Sequence, residues 1–83
     1  MDWYDIVFVK SSKNKKAILK ALLAAPMTPA ELAKKLNNHR STISQNLIEL
    51  RKRGLVVCLT PKNKNYRLYR ITKKGSELLR KAV

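Results

Sequence analysis

The chain has 83 residues, about half the usual size of a domain, so we expect a single domain over 1–83. Nineteen Lys and Arg stand against five Asp and Glu, and the net charge of +14 favours a polyanionic partner. One Cys excludes an internal disulfide framework and a Cys-rich zinc site. No apolar run approaches the roughly 20 residues of a membrane span, and the N-terminus lacks a signal-peptide pattern. We therefore expect a cytoplasmic protein without a membrane partner.

The positive charge falls in three separate blocks. Residues 1–9 carry −2, whereas residues 10–20 carry +5, residues 34–53 carry +5 and residues 60–83 carry +7. A basic tail would indicate a disordered arm. Because these charges alternate with apolar positions, they indicate a folded basic face.

The sequence up to Pro26 predicts one clear helix. Residues 1–11 form an apolar N-terminal extension in which a short helix and an edge strand fit equally well. Ser11 or Ser12 is a suitable N-cap for a helix over about 12–25, which must end before Pro26. The extension serves either as packing for that helix or as an exposed dimerisation patch. Its apolar side chains are Trp3, Tyr4, Ile6, Phe8 and Val9.

The sharpest start signal of the chain is a capping box. Thr28 fits the N-cap, Pro29 the first helical position and Glu31 the third, which predicts a helix of about eight residues. Two sets of residues fit its buried face. They are Ala30, Ala33 and Leu36, or Leu32 and Leu36.

A second helix follows after a short break. Asn37 and Asn38 tolerate left-handed conformations and end the first helix, and the next helix runs from near His39 to about Arg53. Gly54 fits the position beyond a helix end that needs a positive φ. The inward positions of this helix are Ile43, Leu47 and Leu50. Together, residues 28–53 predict a helix-turn-helix.

The pattern then changes from helical to extended. Residues 55–60 are apolar and β-branched and residues 66–72 alternate in polarity, around the polar stretch 61–65. This predicts a β-hairpin over 55–72. Thr72 would cap a short C-terminal helix over 73–83. The predicted fold class is α+β and mainly α, with a three-helix core, a hairpin and a terminal helix.

The first half of the second helix carries short polar side chains, as a helix that enters the major groove of DNA requires. Arg pairs with guanine edges, Gln or Asn pairs with adenine edges, and Ser or Thr lets the helix approach closely. The candidate contacts are His39, Arg40, Ser41, Thr42, Ser44, Gln45 and Asn46. They fall on two neighbouring stripes. One comprises Thr42, Gln45, Asn46 and Glu49, and the other comprises Ser41, Gln45 and Ile48.

The hairpin supplies a second set of candidates for the DNA backbone or the minor groove. Its tip carries Lys62, Asn63, Lys64 and Asn65, and its strands carry Arg67 and Arg70. His39 fits a helix start or a phosphate contact better than a metal site, since the chain has one His and one Cys. No catalytic set, metal cluster, cofactor motif or small-molecule site is evident, so we expect a protein that is not an enzyme.

Residues 28–75 resemble the winged helix-turn-helix of archaeal and bacterial transcriptional regulators of the MarR/ArsR type. The segments that carry the resemblance are TPAELAKKL (28–36), STISQNLIELRKRGLV (41–56) and YRLYRITKKG (66–75). It implies that the helix around Ser41–Asn46 reads the major groove of double-stranded DNA and that Lys62–Asn65 form the wing. The chain departs from the pattern in having no glycine in the wing loop and no long flanking helices for dimerisation.

Other interpretations of the same residues remain open. The fold also fits a protein- or RNA-interaction module of the transcription machinery, or an architectural protein that binds DNA without sequence preference. Cys58 is interpreted as a small core residue, with a redox-sensing thiol as the alternative. Tyr66 and Tyr69 are expected to pack at the base of the wing, with base stacking as the alternative. The expected localisation is the nucleoid. A homodimer through the N-terminal apolar segment, the terminal helices or both is one form that the sequence leaves open, and a monomer is the other.

Overall fold

The computed structural model describes residues 3–82 and contains five helices and one hairpin within that range. In chain order they are α1 (Trp3–Lys10), α2 (Lys13–Ala24), α3 (Pro29–Leu36), α4 (Arg40–Lys52), β1 (Val56–Cys58), β2 (Tyr69–Ile71) and α5 (Lys73–Ala82). The mainly helical fold class is confirmed. Met1 and Asp2 of the predicted N-terminal extension and Val83 of the predicted C-terminal helix lie outside the described residues.

One hydrophobic core holds these elements together. Helices α2, α3 and α4 enclose it, while α1 and α5 pack against each other beside α2. The three predicted inward positions of α4 are all fully buried. The largest fully buried side chains are Val9, Ile18, Leu19, Leu32, Ile43, Leu47, Leu50, Leu55, Val56 and Leu78.

Within the N-terminal extension, Trp3–Lys10 form a helix that packs against the core on one side and exposes apolar side chains on the other. Val9 is fully buried, and Ile6 and Phe8 pack against the core. Trp3 is 69% exposed, and Tyr4 also faces solvent. Because the residues alternate between these two environments, the pattern over so short a segment could not decide between helix and strand.

The predicted caps fix the starts of α2 and α3. Ser12 Oγ accepts a hydrogen bond from the Lys15 amide at 3.2 Å. The Thr28 amide donates to Glu31 Oε1 at 2.9 Å, and Thr28 Oγ1 accepts from the Glu31 amide at 3.2 Å. The bond from the Thr28 amide lowers the pKa of Glu31. Both halves of the capping box are therefore present.

The buried face of α3 follows the second of the two predicted sets. Leu32 is fully buried and Leu36 packs against the core. Ala33 also packs against the core, whereas Ala30 is exposed, so the prediction that Ala30 is buried is wrong. The reason is the burial of Pro29 at the helix start, which turns the next position outward.

Two left-handed residues end the helices of the helix-turn-helix. Asn37 has φ 51° and Gly54 has φ 75°. Beyond α4, the Gly54 amide donates to the Arg51 carbonyl and the Leu55 amide donates to the Leu50 carbonyl, each at 3.0 Å. This pair of bonds is a Schellman motif, in which Leu50 and Leu55 are both buried. The chain therefore leaves α4 directly into the hairpin.

The hairpin is antiparallel, but its strands are shorter than the predicted spans 55–60 and 66–72. Val56 pairs with Ile71 and Cys58 pairs with Tyr69. Beyond Cys58, the hydroxyl of Thr60 replaces part of the ladder, since it accepts from the Leu68 amide at 3.0 Å and donates to the Tyr66 carbonyl at 2.7 Å.

A residue from a distant part of the chain pairs with the outer edge of β2. Met27 forms an isolated bridge with Tyr69, with N···O distances of 3.0 and 2.9 Å. Cys58 and Tyr69 are buried, as predicted for packing positions. Tyr66, by contrast, is 50% exposed, so the prediction that it packs at the base of the wing is wrong. Tyr66 lies in the loop before β2, outside the strand pairing that packs against the core.

A buried carboxylate joins α1 to the end of α4 and to α5. Asp5 is 6% exposed, and its Oδ1 lies 2.9 Å from Arg53 Nη1 while its Oδ2 lies 3.2 Å from Lys74 Nζ. Lys74 also donates to the Arg53 carbonyl at 3.1 Å. The Arg53 guanidinium lies 4.0 Å from the ring centroid of Phe8. The hydrogen bond with Arg53 lowers the pKa of Asp5, against the effect of burial. This cluster fixes the C-terminal end of α4.

We expect Asp5→Asn to lower the free energy of unfolding at pH 7 by about 2 kcal/mol, because the substitution removes the buried negative charge that Arg53 and Lys74 share and replaces one acceptor oxygen with a donor facing a cation. Since the pKa of Asp5 is lower in the folded state, this contribution is present above the ordinary carboxyl pKa of 3.8. It is lost as the pH falls through the lowered value. Urea unfolding of both proteins across that range measures it.

Glu77→Gln is the matched control, because it removes one carboxylate from α5 outside the Asp5 cluster. We expect it to change stability by less than about 0.5 kcal/mol. Equal stability of wild type and Asp5→Asn at pH 7 would contradict the structural role of the cluster.

Candidate nucleic-acid interface

The solvent face of α4 is narrower than its polar sequence indicated. Arg40, Ser41 and Gln45 are exposed, and Ile48 is 46% exposed. These residues share one side of the helix, along the predicted stripe that contains Ser41, Gln45 and Ile48. They form a polar surface that ends in one aliphatic side chain.

The other predicted stripe faces the protein. Glu49 pairs with Lys15 of α2 at 3.0 Å. Asn46 is 8% exposed, and its Nδ2 donates to the Thr42 carbonyl at 2.9 Å. A base contact by Asn46 is therefore incompatible with its position, because α2 covers this side of α4. Thr42 and Ser44 are half-buried on either side of the solvent face.

The start of α4 is held by asparagines. His39 is exposed at the N-cap, and its amide donates to Asn38 Oδ1 at 2.8 Å. Asn38 Nδ2 in turn donates to Asn14 Oδ1 at 3.2 Å. Because Asn14 lies in the first turn of α2, this bond fixes the turn between α3 and α4 against the body of the protein.

The wing tip is exposed at all four predicted positions, 62–65. Asn63 has a structural task there: its Oδ1 accepts from the amides of Asn65 at 2.9 Å and Tyr66 at 2.8 Å. Its own amide donates to the Thr60 carbonyl at 3.1 Å. These bonds explain how the loop turns without a glycine. Lys62 and Lys64 remain as the charged groups of the tip.

The two strand arginines occupy different places. Arg67 is half-buried beside α4, and its hydrogen bond with the Tyr69 side chain raises the pKa of the guanidinium. Arg70 is exposed, and its Nη1 donates to the Ile71 carbonyl at 3.2 Å. Since Tyr69 and Arg70 are neighbours on one strand, their side chains point to opposite faces of the hairpin. Arg67 belongs to the surface beside α4, and Arg70 lies apart from it.

A cleft runs between α4, the start of α3 and the hairpin. It has two adjoining parts of about 540 and 450 Å³, and both are lined by Pro29, Ser44 and Arg67. The first part adds Ile48, Arg51, Lys52 and Tyr69. The second part adds Arg40, Lys64, Asn65 and Tyr66, together with the first turn of α3.

Arg51 and Lys52 line this cleft although they were not among the predicted site residues. Cations at the end of a helix are also stabilised by its dipole, so their type alone does not mark a contact. The spacing of Arg40, Ser44, Ile48 and Arg51 would have placed them on one side of α4.

Comparison with known proteins identifies the family. A profile described as the HVO_A0261 N-terminal domain matches residues 3–82. The chain belongs to this family. No curated protein sequence matches it.

The solved structures that resemble this HVO_A0261-type domain include several transcriptional regulators. BldR from Sulfolobus solfataricus is 29% identical with a TM-score of 0.77, over 86% of this chain and 52% of that one. A possible transcriptional regulator for arsenical resistance is 30% identical with a TM-score of 0.75, over 93% and 78%. CouR, a repressor solved on a 23-mer DNA duplex, is 24% identical with a TM-score of 0.76, over 96% and 61%.

These likenesses confirm the winged helix-turn-helix fold and the resemblance to regulators of the MarR type. The chain spans about half the length of several of these regulators. In the winged-helix nomenclature, α2, α3 and α4 are the three core helices, and the loop between β1 and β2 is the wing.

The carboxylates of this HVO_A0261-type domain do little to neutralise the cleft. Asp5 is buried with its two cations, Glu31 closes the capping box and Glu49 is paired with Lys15. Glu31 is the one carboxylate of the described residues that lines the cleft. The cations that line it are Arg40, Arg51, Lys52, Lys64 and Arg67. Such a surface concentrates anions.

Among residues 3–82, no group of three or more His, Cys, Asp or Glu side chains has an arrangement that would hold a metal ion. None of the helices described there combines the length and apolar character needed to cross a bilayer.

We expect Asn63→Ala to speed amide hydrogen exchange at Tyr66 by about fivefold to tenfold, since one hydrogen bond contributes about 1 kcal/mol. Asn63→Asp is the control, because a carboxylate keeps the acceptor and should retain the protection. Amide exchange followed by NMR measures both. Unchanged exchange in Asn63→Ala would show that the side chain of Asn63 does not hold the wing.

Proposed function

We propose that this chain is a DNA-binding transcriptional regulator in which α4 enters the major groove and the wing at 61–65 contacts the backbone or the minor groove. The observation that carries the proposal is the shared cleft. Arg40, Ser44 and Ile48 of α4 line the same opening as Lys64 of the wing and Arg67. A groove-reading helix and a backbone contact can therefore engage one duplex together. A protein bound to chromosomal DNA would work in the cytoplasm, at the nucleoid.

Sequence reading would depend on the exposed side chains of α4. Arg40 suits the O6 and N7 acceptors of guanine, and Gln45 suits the N6 and N7 groups of adenine. Ser41 lets the helix approach the base edges closely. Ile48 adds an apolar surface that suits a thymine methyl group. Thr42 and Ser44 flank this set, and the buried Asn46 is excluded from it.

Affinity would come from phosphate contacts. The wing offers Lys62 and Lys64, the strand offers Arg67, and the end of α4 offers Arg51 and Lys52. His39 lies exposed at the other end of α4. With roughly 6–8 phosphates contacted, the logarithm of the binding constant should fall against the logarithm of salt concentration with a slope of about −5 to −7.

Gln45→Ala and Lys64→Ala test the two kinds of contact separately. We expect Gln45→Ala to weaken binding to a duplex selected by the wild type from random sequences by about tenfold, with little change on a scrambled duplex. Lys64→Ala should weaken binding to both duplexes and reduce the salt slope by about 1. Fluorescence anisotropy titrations at several salt concentrations measure both effects.

Lys81→Ala on α5 is the control, because it removes the same charge as Lys64→Ala from an exposed position outside the cleft. Equal, salt-sensitive binding to selected and scrambled duplexes would contradict the regulator and favour an architectural DNA-binding protein. No duplex binding at low salt would contradict DNA binding, and a protein- or RNA-interaction module would then be the better interpretation.

We also infer a homodimer that places two copies of α4 on two half-sites about one helical turn apart. Its support is the outer face of α1, where Trp3 and Val7 are large exposed apolar residues next to α5. Val7→Lys should shift the mass measured by light scattering from dimer to monomer. Leu23→Lys, at an exposed apolar residue of α2, should leave it unchanged. A wild type that is monomeric at micromolar concentration would contradict this interface.

A further inference from the structure

A second basic surface lies on α2 and α3, and the cleft does not include it. Lys13, Lys16 and Lys20 follow one side of α2, and Lys13 and Lys20 are exposed. Lys35 of α3 is also exposed and lies with Lys20 along one groove. We call these four residues the lysine face.

The lysine face points away from α4. Lys15, in the same helix, reaches inward to Glu49 of α4 at 3.0 Å. At 3.6 residues per turn, Lys13 and Lys20 lie about 160° and about 140° around the helix from Lys15. The two basic surfaces of the domain therefore open in different directions, and one duplex seated against α4 leaves the lysine face free.

One carboxylate of these two helices lies near the lysine face. The single acidic residue between positions 13 and 36 is Glu31, one helical turn from Lys35. Its carboxylate accepts a hydrogen bond from the Thr28 amide at 2.9 Å in the capping box. Four ammonium groups thus share a surface with a single carboxylate of the same helices beside it, and the net positive charge of such a surface attracts polyanions.

The chemistry of the lysine face differs from that of the cleft. The cleft is rich in arginine, which recognises base edges and phosphates through a planar fork of donors, whereas the lysine face holds only compact point charges. Its groove is floored by Ala17, Ala21, Ala24 and Leu36. That floor has no aromatic anchor of the kind that dominates protein interfaces. These features fit phosphate contacts that carry no sequence information.

We propose that the lysine face binds the phosphate backbone of a second DNA duplex, so that the protein bridges two duplexes. This proposal rests on the proposed function for the first duplex, which occupies the cleft. The first contact reads sequence through α4, and the second contact is independent of sequence. The protein would then hold a specific site against any neighbouring segment of DNA.

The test is the capture of a labelled duplex by a second duplex fixed on beads, in the presence of the full chain. Wild type should retain labelled DNA on the beads at low salt. The triple variant Lys13→Gln, Lys20→Gln and Lys35→Gln should lower the retained DNA by about tenfold, because three phosphate contacts are lost. Its affinity for a single duplex, measured by anisotropy, should change little. Gln has nearly the same helix propensity as Lys, so the fold should be retained.

The matched control is Lys73→Gln, Arg80→Gln and Lys81→Gln, which removes the same charge from exposed positions of α5. It should bridge as wild type does. Equal bridging by the lysine-face variant and wild type would overturn the proposal. The same result is expected if a dimer bridges the two duplexes through its two copies of α4. If wild type binds polyglutamate at the lysine face but does not bridge duplexes, the proposal is overturned, and an acidic protein is the better candidate for the partner of that face. Loss of single-duplex binding by wild type would instead be a failure of the proposed function.

Discussion

The scarcity of carboxylates, and the places they occupy, is the constraint on which the rest of this structure depends. With a net charge of +14, the compact chain repels itself. Asp5 offsets this repulsion where α1, α4 and α5 meet, Glu31 fixes the start of α3, and Glu49 ties α4 to α2. Each of these three acids fixes a helix of the winged helix-turn-helix, so few carboxylates are left to neutralise the exposed cations.

Elements with local signals could be predicted from the sequence. The capping box of Thr28 and Glu31 and the left-handed Gly54 depend on residues a few positions apart, so their patterns were sufficient. The predicted strands were longer than the observed ones because contacts with other parts of the chain determine where the strands end. Met27 pairs with Tyr69 from a distant part of the chain, and beyond Cys58 the hydroxyl of Thr60 replaces the ladder. Composition and alternation carry no information on such contacts.

The sequence predicted which residue types form the candidate site more accurately than it predicted which of them share one surface. Helical spacing gave two stripes on α4, but which stripe faces solvent depends on how α2 packs. The burial of Ile43, Leu47 and Leu50 against the core sets the rotation of α4, which places Asn46 inward and Glu49 beside Lys15 of α2. Arg67 and Arg70 were likewise predicted as one set. Alternation along the strand puts them on opposite faces, and the packing of the hairpin sets Arg67 beside α4.

The Asp5 cluster also links α4 to the surface proposed for dimerisation. Arg53 is the C-cap of α4, and it is held by Asp5 of α1 and by Lys74 of α5. A partner packed on the outer face of α1 would therefore meet a helix that is already fixed to the end of α4. The angle between two copies of α4 would then be set by the α1 contact with few flexible joints between them. That rigidity favours a fixed half-site spacing over adaptation to many spacings.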